Sequence, residues 1–255
     1  MTQTLRPSID VRRSGDRFAT KAGWLDSKHS FSFGSHYDRD NTHFGLLLVN
    51  NDDLVQPGTG FETHPHRDME IVTWVMQGSL VHQDSTGHSG VIYPGLAQRM
   101  SAGTGILHSE KNDAWRLQGD RHEDPVHFVQ MWVVPDEQGV EPGYEQLEIG
   151  DELMRSGLHP VASGMDEYAE HTAIRIRNKY AALLVARMSP GESVQLPDAP
   201  FVHVFVPRGA VTLEGAPDGG RLAAGDAARI SVGGQRVTAV EASEILVWEM
   251  HATLA

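Results

Sequence analysis

Two short segments of the sequence each place ligand-type side chains two residues apart. The first contains His64 and His66, and the second, about forty residues later, contains His108 and Glu110. In a β-strand, side chains two residues apart point to the same face of the sheet. Two neighbouring strands could therefore bring three imidazoles and one carboxylate to one point in space. Such nitrogen and oxygen ligands suit a divalent transition metal such as iron, copper, manganese, nickel or zinc, and we expect a mononuclear metal site inside a β-structure.

A single His-x-His pattern would be weak evidence, because the chain contains 14 histidines and two of them can share a surface loop. The second pair strengthens it, since His108 and Glu110 follow a glycine-rich turn within the same predicted unit. His82 and Asp84 are also two residues apart, but they run directly into a turn, and we interpret them as strand-end residues. The other histidines are interpreted as surface, hydrogen-bonded or core residues: His29, His36, His43, His88, His122, His127, His159, His171, His203 and His251.

Strand signals dominate the chain. Short runs rich in Val, Ile, Leu, Phe and Trp, such as 71–76, 128–134 and 202–206, are bounded by Gly, Pro, Asp or Asn. Helical periodicity is confined to short segments near 150–156 and 165–172. Many short strands at regular spacing indicate an all-β protein built as an antiparallel sandwich or barrel.

A weak internal repeat divides the chain in two. Gly78 and Gly95 in the first half correspond to Gly209 and Gly225 in the second, and the strands that precede Gly78 and Gly209 are alike. The repeat predicts two tandem antiparallel β-barrels joined by a polar connector. Their boundaries are 1–135 for the first barrel, 136–170 for the connector and 171–255 for the second barrel.

The same repeat indicates which barrel could bind a metal. The second half can be searched at the offsets where the first half has His64, His66, Glu70, His108 and Glu110. The residues found there are Gln195, Pro197, Phe201, Thr238 and Val240. None of these side chains replaces an imidazole or a carboxylate, so we expect the chemistry in the first barrel.

The acidic ligand is ambiguous. By strict alternation Glu70 shares the face of His64 and His66, just as Glu110 shares the face of His108. Pro65 cannot donate a hydrogen bond to a strand ladder, so an irregularity there could turn Glu70 away. The residues alone leave both carboxylates open, and one could bind the metal while the other acts nearby.

Composition limits the possible partners and compartments. The chain has no cysteine, which excludes disulfides and thiolate metal sites. Its formal net charge of −13 argues against direct binding to nucleic acid, which depends on lysine and arginine. Residues 1–7 contain no apolar signal region, and no apolar run is long enough to cross a membrane. We expect a cytoplasmic protein, and we expect a monomer because two barrels can cover their own apolar faces.

Several motifs resemble the pirin family of the cupin superfamily, and the likeness is greatest to bacterial pirin-like quercetin 2,3-dioxygenases. The resemblance is strong through about residue 135 and looser beyond it. The motifs that carry it are His29–Phe33, Tyr37-Asp38, Thr63–His66, Glu70–Thr73, His82–Ser85 and, most specifically, Met100–Glu110.

The resemblance implies two cupin β-barrels, a bicupin, with a metal only in the N-terminal barrel. Pirins take their acidic ligand from the second motif, which implies His64, His66, His108 and Glu110 as the ligands of one divalent metal. The resemblance favours Fe(II), with copper, manganese, nickel, cobalt and zinc as alternatives. Glu70 would then support the site or form part of its polar wall.

The function that the resemblance implies is a metal-dependent dioxygenase, which cleaves the central ring of a flavonol such as quercetin and releases carbon monoxide. Four protein ligands would leave two positions of a six-coordinate metal for the flavonol and dioxygen. Glu110 is the first candidate to accept the hydroxyl proton of the flavonol, and Glu70 is the second. The candidates for an apolar wall around a flat ligand are Trp74, Met76, Ile106, Phe128 and Trp132.

Two alternatives stay open. Some pirins are regarded as non-enzymatic, iron-dependent regulators that act through a protein partner. Such a regulator would need bound iron and that partner, but no flavonol turnover. The other alternative is a metal-bound enzyme whose substrate is a different enolisable or aromatic compound, with quercetin only as a mimic.

Overall fold

The computed structural model describes residues 8–117 and 119–254, so the predicted lack of a signal region at residues 1–7 lies outside the described residues. The first twelve strands are β1 (Ser8–Arg12), β2 (Phe18–Lys21), β3 (Leu25–His29), β4 (Leu47–Val55), β5 (Gly60–His66), β6 (Glu70–Gln77), β7 (Leu80–Asp84), β8 (Ser89–Ile92), β9 (Leu96–Ser101), β10 (Ile106–Lys111), β11 (Val126–Val133) and β12 (Gly143–Glu148). The next ten are β13 (His159–Ser163), β14 (Ile174–Arg175), β15 (Ala181–Met188), β16 (Ser193–Gln195), β17 (Phe201–Arg208), β18 (Ala210–Leu213), β19 (Arg221–Ala223), β20 (Ala227–Ser231), β21 (Arg236–Ala239) and β22 (Ser243–Met250).

Helices are few and short in the described part of the chain. The α-helix α1 spans Asp151–Arg155. Single-turn 3-10 helices lie at Ser14–Asp16, Ala114–Arg116, Asp166–Tyr168 and Asp218–Gly220. None of the helices among the described residues has the length and apolar character needed to span a membrane.

The strands form two β-sandwiches, each built from a seven-stranded and a four-stranded sheet. In the first sandwich the large sheet has the order β12-β9-β6-β11-β4-β3-β2, and the small sheet has the order β5-β10-β7-β8. In the second the orders are β1-β20-β17-β22-β15-β13-β14 and β16-β21-β18-β19. The pairing is antiparallel except between β13 and the two-residue strand β14. The predicted all-β fold of two tandem cupin-type units is confirmed, with open sandwiches in place of closed barrels.

The central strands of the large sheets bury both faces, which explains their nearly continuous apolar sequences. In β6, Val72, Trp74 and Met76 join a core shared by the two sandwiches, whereas Val75 joins the core inside the first sandwich. Trp248 of β22 is fully buried in the shared core as well. The two halves of the chain are therefore packed against each other through their large sheets.

Two edge strands join a large sheet to which the predicted boundaries do not assign them. β1, near the N-terminus, pairs with β20 and completes the second large sheet, for example through Ile9 opposite Ile230. β12, in the predicted connector, pairs with β9 and completes the first large sheet. The division of the chain at residues 135 and 170 stays a proposal, and it does not account for β1 and β12. It also does not account for β13, which lies in the predicted connector and pairs with β15 in the second large sheet.

The internal repeat has a structural counterpart at its paired glycines. Gly78 joins β6 to β7 and Gly209 joins β17 to β18, with φ angles of 76° and 81°. L-residues with a side chain rarely adopt such angles. At Gly209 an added Cβ would also overlap the backbone oxygen of Ala242. Both turns therefore depend on glycine, which is why the repeat can be read from these positions.

His203 lies in the interior of the protein between the two large sheets. It is fully buried, and neither ring nitrogen has a hydrogen-bond partner. Burial, followed by the charges of Arg229 and Arg17, lowers the pKa of His203 to about 3. The ring is therefore neutral at pH 7, and it stays neutral in the folded protein under mildly acidic conditions.

We expect His203→Leu to reduce the acid sensitivity of folding. The unfolded chain protonates this histidine near pH 6.5, whereas the folded chain does so only near pH 3. The contribution of this pKa difference to the free energy of unfolding is therefore fully present above pH 6.5. It decreases by about 1.4 kcal/mol per pH unit as the pH falls below 6.5. Denaturant unfolding gives the free energy of unfolding at pH 7 and at pH 5. Between these two pH values it should decrease by about 2 kcal/mol more in the parent chain than in the variant. Equal losses in the two proteins would contradict this account.

Candidate metal centre

Two strands of the first small sheet carry the side chains that the sequence singles out. β5 carries His64 and His66, and its antiparallel partner β10 carries His108 and Glu110. The register sets His108 opposite His64. Burial alternates along β10, with Leu107 47% exposed and His108 only 1% exposed. The two-residue spacing thus turns both β10 side chains toward the interior of the first sandwich, as strand alternation requires.

A bulge adjusts the pairing of these strands. The register shifts between His108 and Glu110, so that Glu110 lies opposite Phe61. At this point the two backbones approach closely, because a Cβ at Gly60 would overlap the backbone oxygen of Glu110. Bulges re-aim side chains next to active sites, and Gly60 is the residue that permits the close approach here.

The three imidazoles of the two strands converge. The ring centroids are 4.9 Å apart for His64 and His66, 4.5 Å for His64 and His108, and 4.9 Å for His66 and His108. One ring nitrogen from each residue lies within 4.8 Å of the other two. The rings are tilted or edge-on to one another, so three nitrogen atoms can face one small ion.

Hydrogen bonds define which nitrogen of His64 is free. Its Nδ1 lies 2.7 Å from the backbone oxygen of Glu62, which can only accept, so Nδ1 carries the proton and Nε2 carries a lone pair. The Nε2 atoms of His66 and His108 are buried and have no hydrogen-bond partner. Buried polar atoms are almost always satisfied, and a metal ion would satisfy these nitrogens together. The residues present therefore fit a bound divalent metal.

The electrostatics of the site favour neutral imidazoles. Burial, with added repulsion from His108 and His64, lowers the pKa of His66 to about 4. Burial, followed by His64 and His82, lowers the pKa of His108 to about 3. Metal ligands must be deprotonated, and both rings meet this condition at neutral pH.

Glu110 lies beside the three imidazoles. It is buried, and its Oε2 is 3.9 Å from Nε2 of His108. The side-chain amide of Gln130 donates to both carboxylate oxygens, at 2.9 and 2.8 Å. Gln130 in turn accepts a hydrogen bond of 3.0 Å from the indole N–H of Trp132, which also packs edge-on against His66 at 4.9 Å. Strand β11 thereby holds the carboxylate in position.

Glu70 has different surroundings. β5 ends at His66 and β6 begins at Glu70 in the other sheet, with Asp68 at a φ of 46° in the turn between them. Because of this turn, residues 64–70 do not form one strand, and strict alternation does not place Glu70 on the face of His64 and His66. The Glu70 carboxylate accepts hydrogen bonds from Ser101 Oγ at 2.9 Å and from the backbone N–H of Arg177 at 3.0 Å. Burial raises its pKa.

His82 and Asp84 were interpreted from the sequence as strand-end residues, and the structure gives them a closer relation to the site. His82 is fully buried, and its Nδ1 lies 3.4 Å from Nδ1 of His108. Its Nε2 lies 3.1 Å from Asp84 Oδ2. Despite burial, hydrogen bonds from Thr86, His82 and His88 lower the pKa of Asp84 to about 2. The sequence signal was present, since His82-x-Asp84 repeats the spacing of the other two pairs.

The predicted apolar wall is only partly correct. Trp132 contacts His66, and Ile106 lies opposite His66 in the β5–β10 pairing. Trp74 and Met76 instead face the shared core, and Phe128 packs inside the first sandwich. The reason is that β6 presents alternate residues to its two buried faces, and Trp74 and Met76 are on the face turned away from the small sheet.

An open groove borders the site at His64. Its volume is about 530 Å³. The aromatic residues of the groove are Trp24 and Phe61, whose rings meet edge-on at 5.2 Å, and Gly58 and Gly60 also line it. Aromatic rings beside a ligand site suit a flat organic molecule.

Ligand-type clusters in the described part of the chain lie in the first sandwich. One comprises His64, His66 and His108, and the other comprises His82, His108 and Glu110. Some histidines outside these clusters have other partners, such as His29 with Asn51 at 2.9 Å and His127 with Asp52 at 2.6 Å, whereas the buried His203 has none.

Sequence comparisons place the chain among known proteins. A model of the pirin family matches residues 11–133. A protein of Mycobacterium bovis that carries the provisional name quercetin 2,3-dioxygenase is 58% identical over 248 residues, which is 97% of each chain. The quercetin 2,3-dioxygenase of Escherichia coli K12 is 45% identical over 138 residues, 54% of this chain and 57% of that protein.

Solved structures agree with the sequence comparisons. YhhW from Escherichia coli is 31% identical and superposes with a TM-score of 0.84, over 97% of this chain and 100% of that one. A complex of the bacterial pirin YhhW with nickel(II) is 30% identical, with a TM-score of 0.82 over the same shares of the two chains. Together with the close relative that spans nearly its whole length, these matches show that the chain belongs to the pirin family.

Proposed function

We propose that this chain is a metal-dependent dioxygenase that acts on a flavonol or a similar aromatic compound. The observation that carries the proposal is the convergence of three imidazoles, two of which have a buried and unpartnered Nε2. The names of the relatives support the reaction class, since a protein provisionally named quercetin 2,3-dioxygenase is 58% identical to the matched part of this chain and one that carries the name outright is 45% identical.

The proposed metal ligands are His64, His66, His108 and Glu110. Glu110 is preferred to Glu70 because its carboxylate lies 3.9 Å from Nε2 of His108, whereas Glu70 is engaged with Ser101 and the backbone of Arg177. We propose Fe(II) as the resident metal, and the nickel(II) complex of YhhW supports a site that accepts other divalent ions. When bound, the metal would supply Lewis acidity that lowers the pKa of a hydroxyl group, and open positions for the substrates.

The protein residues have distinct proposed roles around the substrate. Glu110 would accept the hydroxyl proton of the flavonol, and Gln130 would keep its two oxygens aligned. The indole N–H of Trp132 can only donate, so it fixes the amide of Gln130 with its NH₂ group toward the carboxylate. Glu70 would then be a structural residue that connects β6 to the segment around Arg177.

The groove beside His64 is the proposed seat of the aromatic rings of the substrate. Trp24 and Phe61 would contact a flat ligand and exclude water from one side of it. Trp132 would form part of the wall at His66. In the proposed reaction, both atoms of dioxygen enter the deprotonated flavonol and two carbon–carbon bonds of its central ring break. The carbon between these bonds leaves with its oxygen as carbon monoxide, and the remainder is an ester of a phenolic carboxylic acid.

The ligand assignment predicts a specific pattern of metal content. His66→Ala and Glu110→Gln should each weaken binding of Fe(II) or nickel(II), with the loss for His66→Ala exceeding roughly 100-fold because a direct ligand is removed. Glu70→Gln should bind within a few-fold of the parent chain. Metal per chain is measured by elemental analysis after desalting, and affinity by calorimetric titration.

His203→Leu is the matched control, because it removes a buried histidine outside both clusters. It should retain full metal content. Loss of metal in Glu70→Gln comparable to that in Glu110→Gln would overturn the choice of carboxylate.

The reaction assignment predicts turnover of quercetin under air by protein reconstituted with Fe(II). Consumption of the flavonol should be accompanied by carbon monoxide, detected by its binding to reduced myoglobin. His66→Ala should lack both signals, because the metal that acidifies the hydroxyl is no longer held. Absence of turnover by protein confirmed to contain iron would contradict the flavonol assignment and favour the regulator or another substrate.

A further inference from the structure

The strand that neighbours β10 carries a buried pair of residues in contact with His108. His82 and Asp84 of β7 lie opposite Glu110 and His108 of β10, respectively. The side chains of His82 and Asp84 are 1% and 0% exposed. Neither residue belongs to the proposed metal ligands, so the burial of the Asp84 carboxylate beside the proposed metal site needs a separate explanation.

The contacts form a chain of three groups. Nδ1 of His108 is 3.4 Å from Nδ1 of His82, and Nε2 of His82 is 3.1 Å from Oδ2 of Asp84. The other oxygen of Asp84 accepts hydrogen bonds from the backbone N–H and hydroxyl of Thr86, at 2.9 and 2.7 Å, and from the backbone N–H of His88 at 3.2 Å. Asp84 is therefore fixed by its own turn, independently of His82.

The chemistry of each group determines the direction of every hydrogen bond. An ionised Asp84 can only accept, so Nε2 of His82 donates to it. With both imidazoles in the neutral form, each ring has one donor and one acceptor, so Nδ1 of His82 accepts. Nδ1 of His108 must then donate, which leaves the lone pair of His108 on Nε2. That Nε2 is the buried atom without a hydrogen-bond partner, and His108 belongs to the cluster with His64 and His66.

We infer that His82 and Asp84 are positioning residues, which fix the tautomer of His108 so that its Nε2 lone pair is available to a metal. The inference rests on the proposed metal site. Histidine ligands usually donate their second N–H to a carboxylate or a carbonyl, and here a second histidine transmits that role from a more distant carboxylate.

His82 could instead be a metal ligand, since it also clusters with His108 and Glu110. Its hydrogen bonds argue against this, because a ligand needs a free lone pair. Both nitrogens of His82 have partners, whereas Nε2 of His66 and Nε2 of His108 have none. The structure therefore favours His82 as the support of a ligand.

Two substitutions distinguish a supporting role of His82 from a role as a metal ligand. In Asp84→Asn the side-chain oxygen can keep the bonds within the turn, while the amide NH₂ faces His82 and reverses every hydrogen bond in the chain. His108 would then carry its proton on Nε2. In His82→Gln, the amide oxygen can still accept from His108 and the NH₂ can still donate to Asp84, so the original tautomer is retained.

The experiment reads the tautomer of His108 in metal-free protein by long-range ¹H–¹⁵N NMR, and then nickel(II) affinity by calorimetric titration. We expect the Nδ1–H tautomer in the parent chain and in His82→Gln, and the Nε2–H tautomer in Asp84→Asn. Asp84→Asn should bind nickel(II) roughly 10- to 100-fold more weakly, with His82→Gln within a few-fold of the parent. His127→Leu, which breaks the His127–Asp52 pair away from the site, should change neither property.

Two results would overturn the inference. One is an unchanged tautomer and unchanged nickel affinity in Asp84→Asn. The other is loss of nickel in His82→Gln as complete as in His66→Ala, which would make His82 a ligand. The tautomer measurement requires neither metal nor flavonol, so it decides the role of Asp84 and His82 even if the proposed dioxygenase reaction is wrong.

Discussion

The antiparallel pairing of β5 with β10 is the constraint on which the candidate metal centre depends. Its register sets His64 opposite His108, and strand alternation turns His66 to the same cluster. A slip of one residue would move the imidazoles to the opposite face of the sheet. The register is specified because one face of β10 is buried, and Gly60 allows the close approach at the bulge before Glu110.

Neighbouring strands supply the groups that hold these side chains in place. From the large sheet of the first sandwich, β11 supplies Gln130 and Trp132, which hold Glu110. From the small sheet, β7 supplies His82 and Asp84 on the side of His108 Nδ1. Two sheets of a sandwich thus contribute to one preorganised site, and the second sandwich supports the first through the core between their large sheets.

Much of the fold and of the candidate metal centre could be predicted from the sequence, because the patterns that indicate them lie within short segments of the chain. Short apolar runs bounded by turn residues predicted the strands, and paired glycines such as Gly78 and Gly209 marked equivalent turns of the repeat. The predictions that were wrong or incomplete concerned features that depend on contacts between distant residues or on a single turn. Asp68 adopts a left-handed conformation that ends β5, which no alternation rule could reveal. The role of His82 depends on its pairing with β10, and β1 joins a strand more than two hundred residues away, with Ser8 opposite Ser231.

The most direct test of the central claim is a crystal structure of the protein with nickel(II), using anomalous diffraction to locate the metal. The account predicts one strong peak at about 2.0–2.2 Å from Nε2 of His64, His66 and His108, with an oxygen of Glu110 as the fourth protein ligand. A peak coordinated by His82 in place of His64 and His66, or an ordered cluster of three imidazoles with no metal among them, would contradict it.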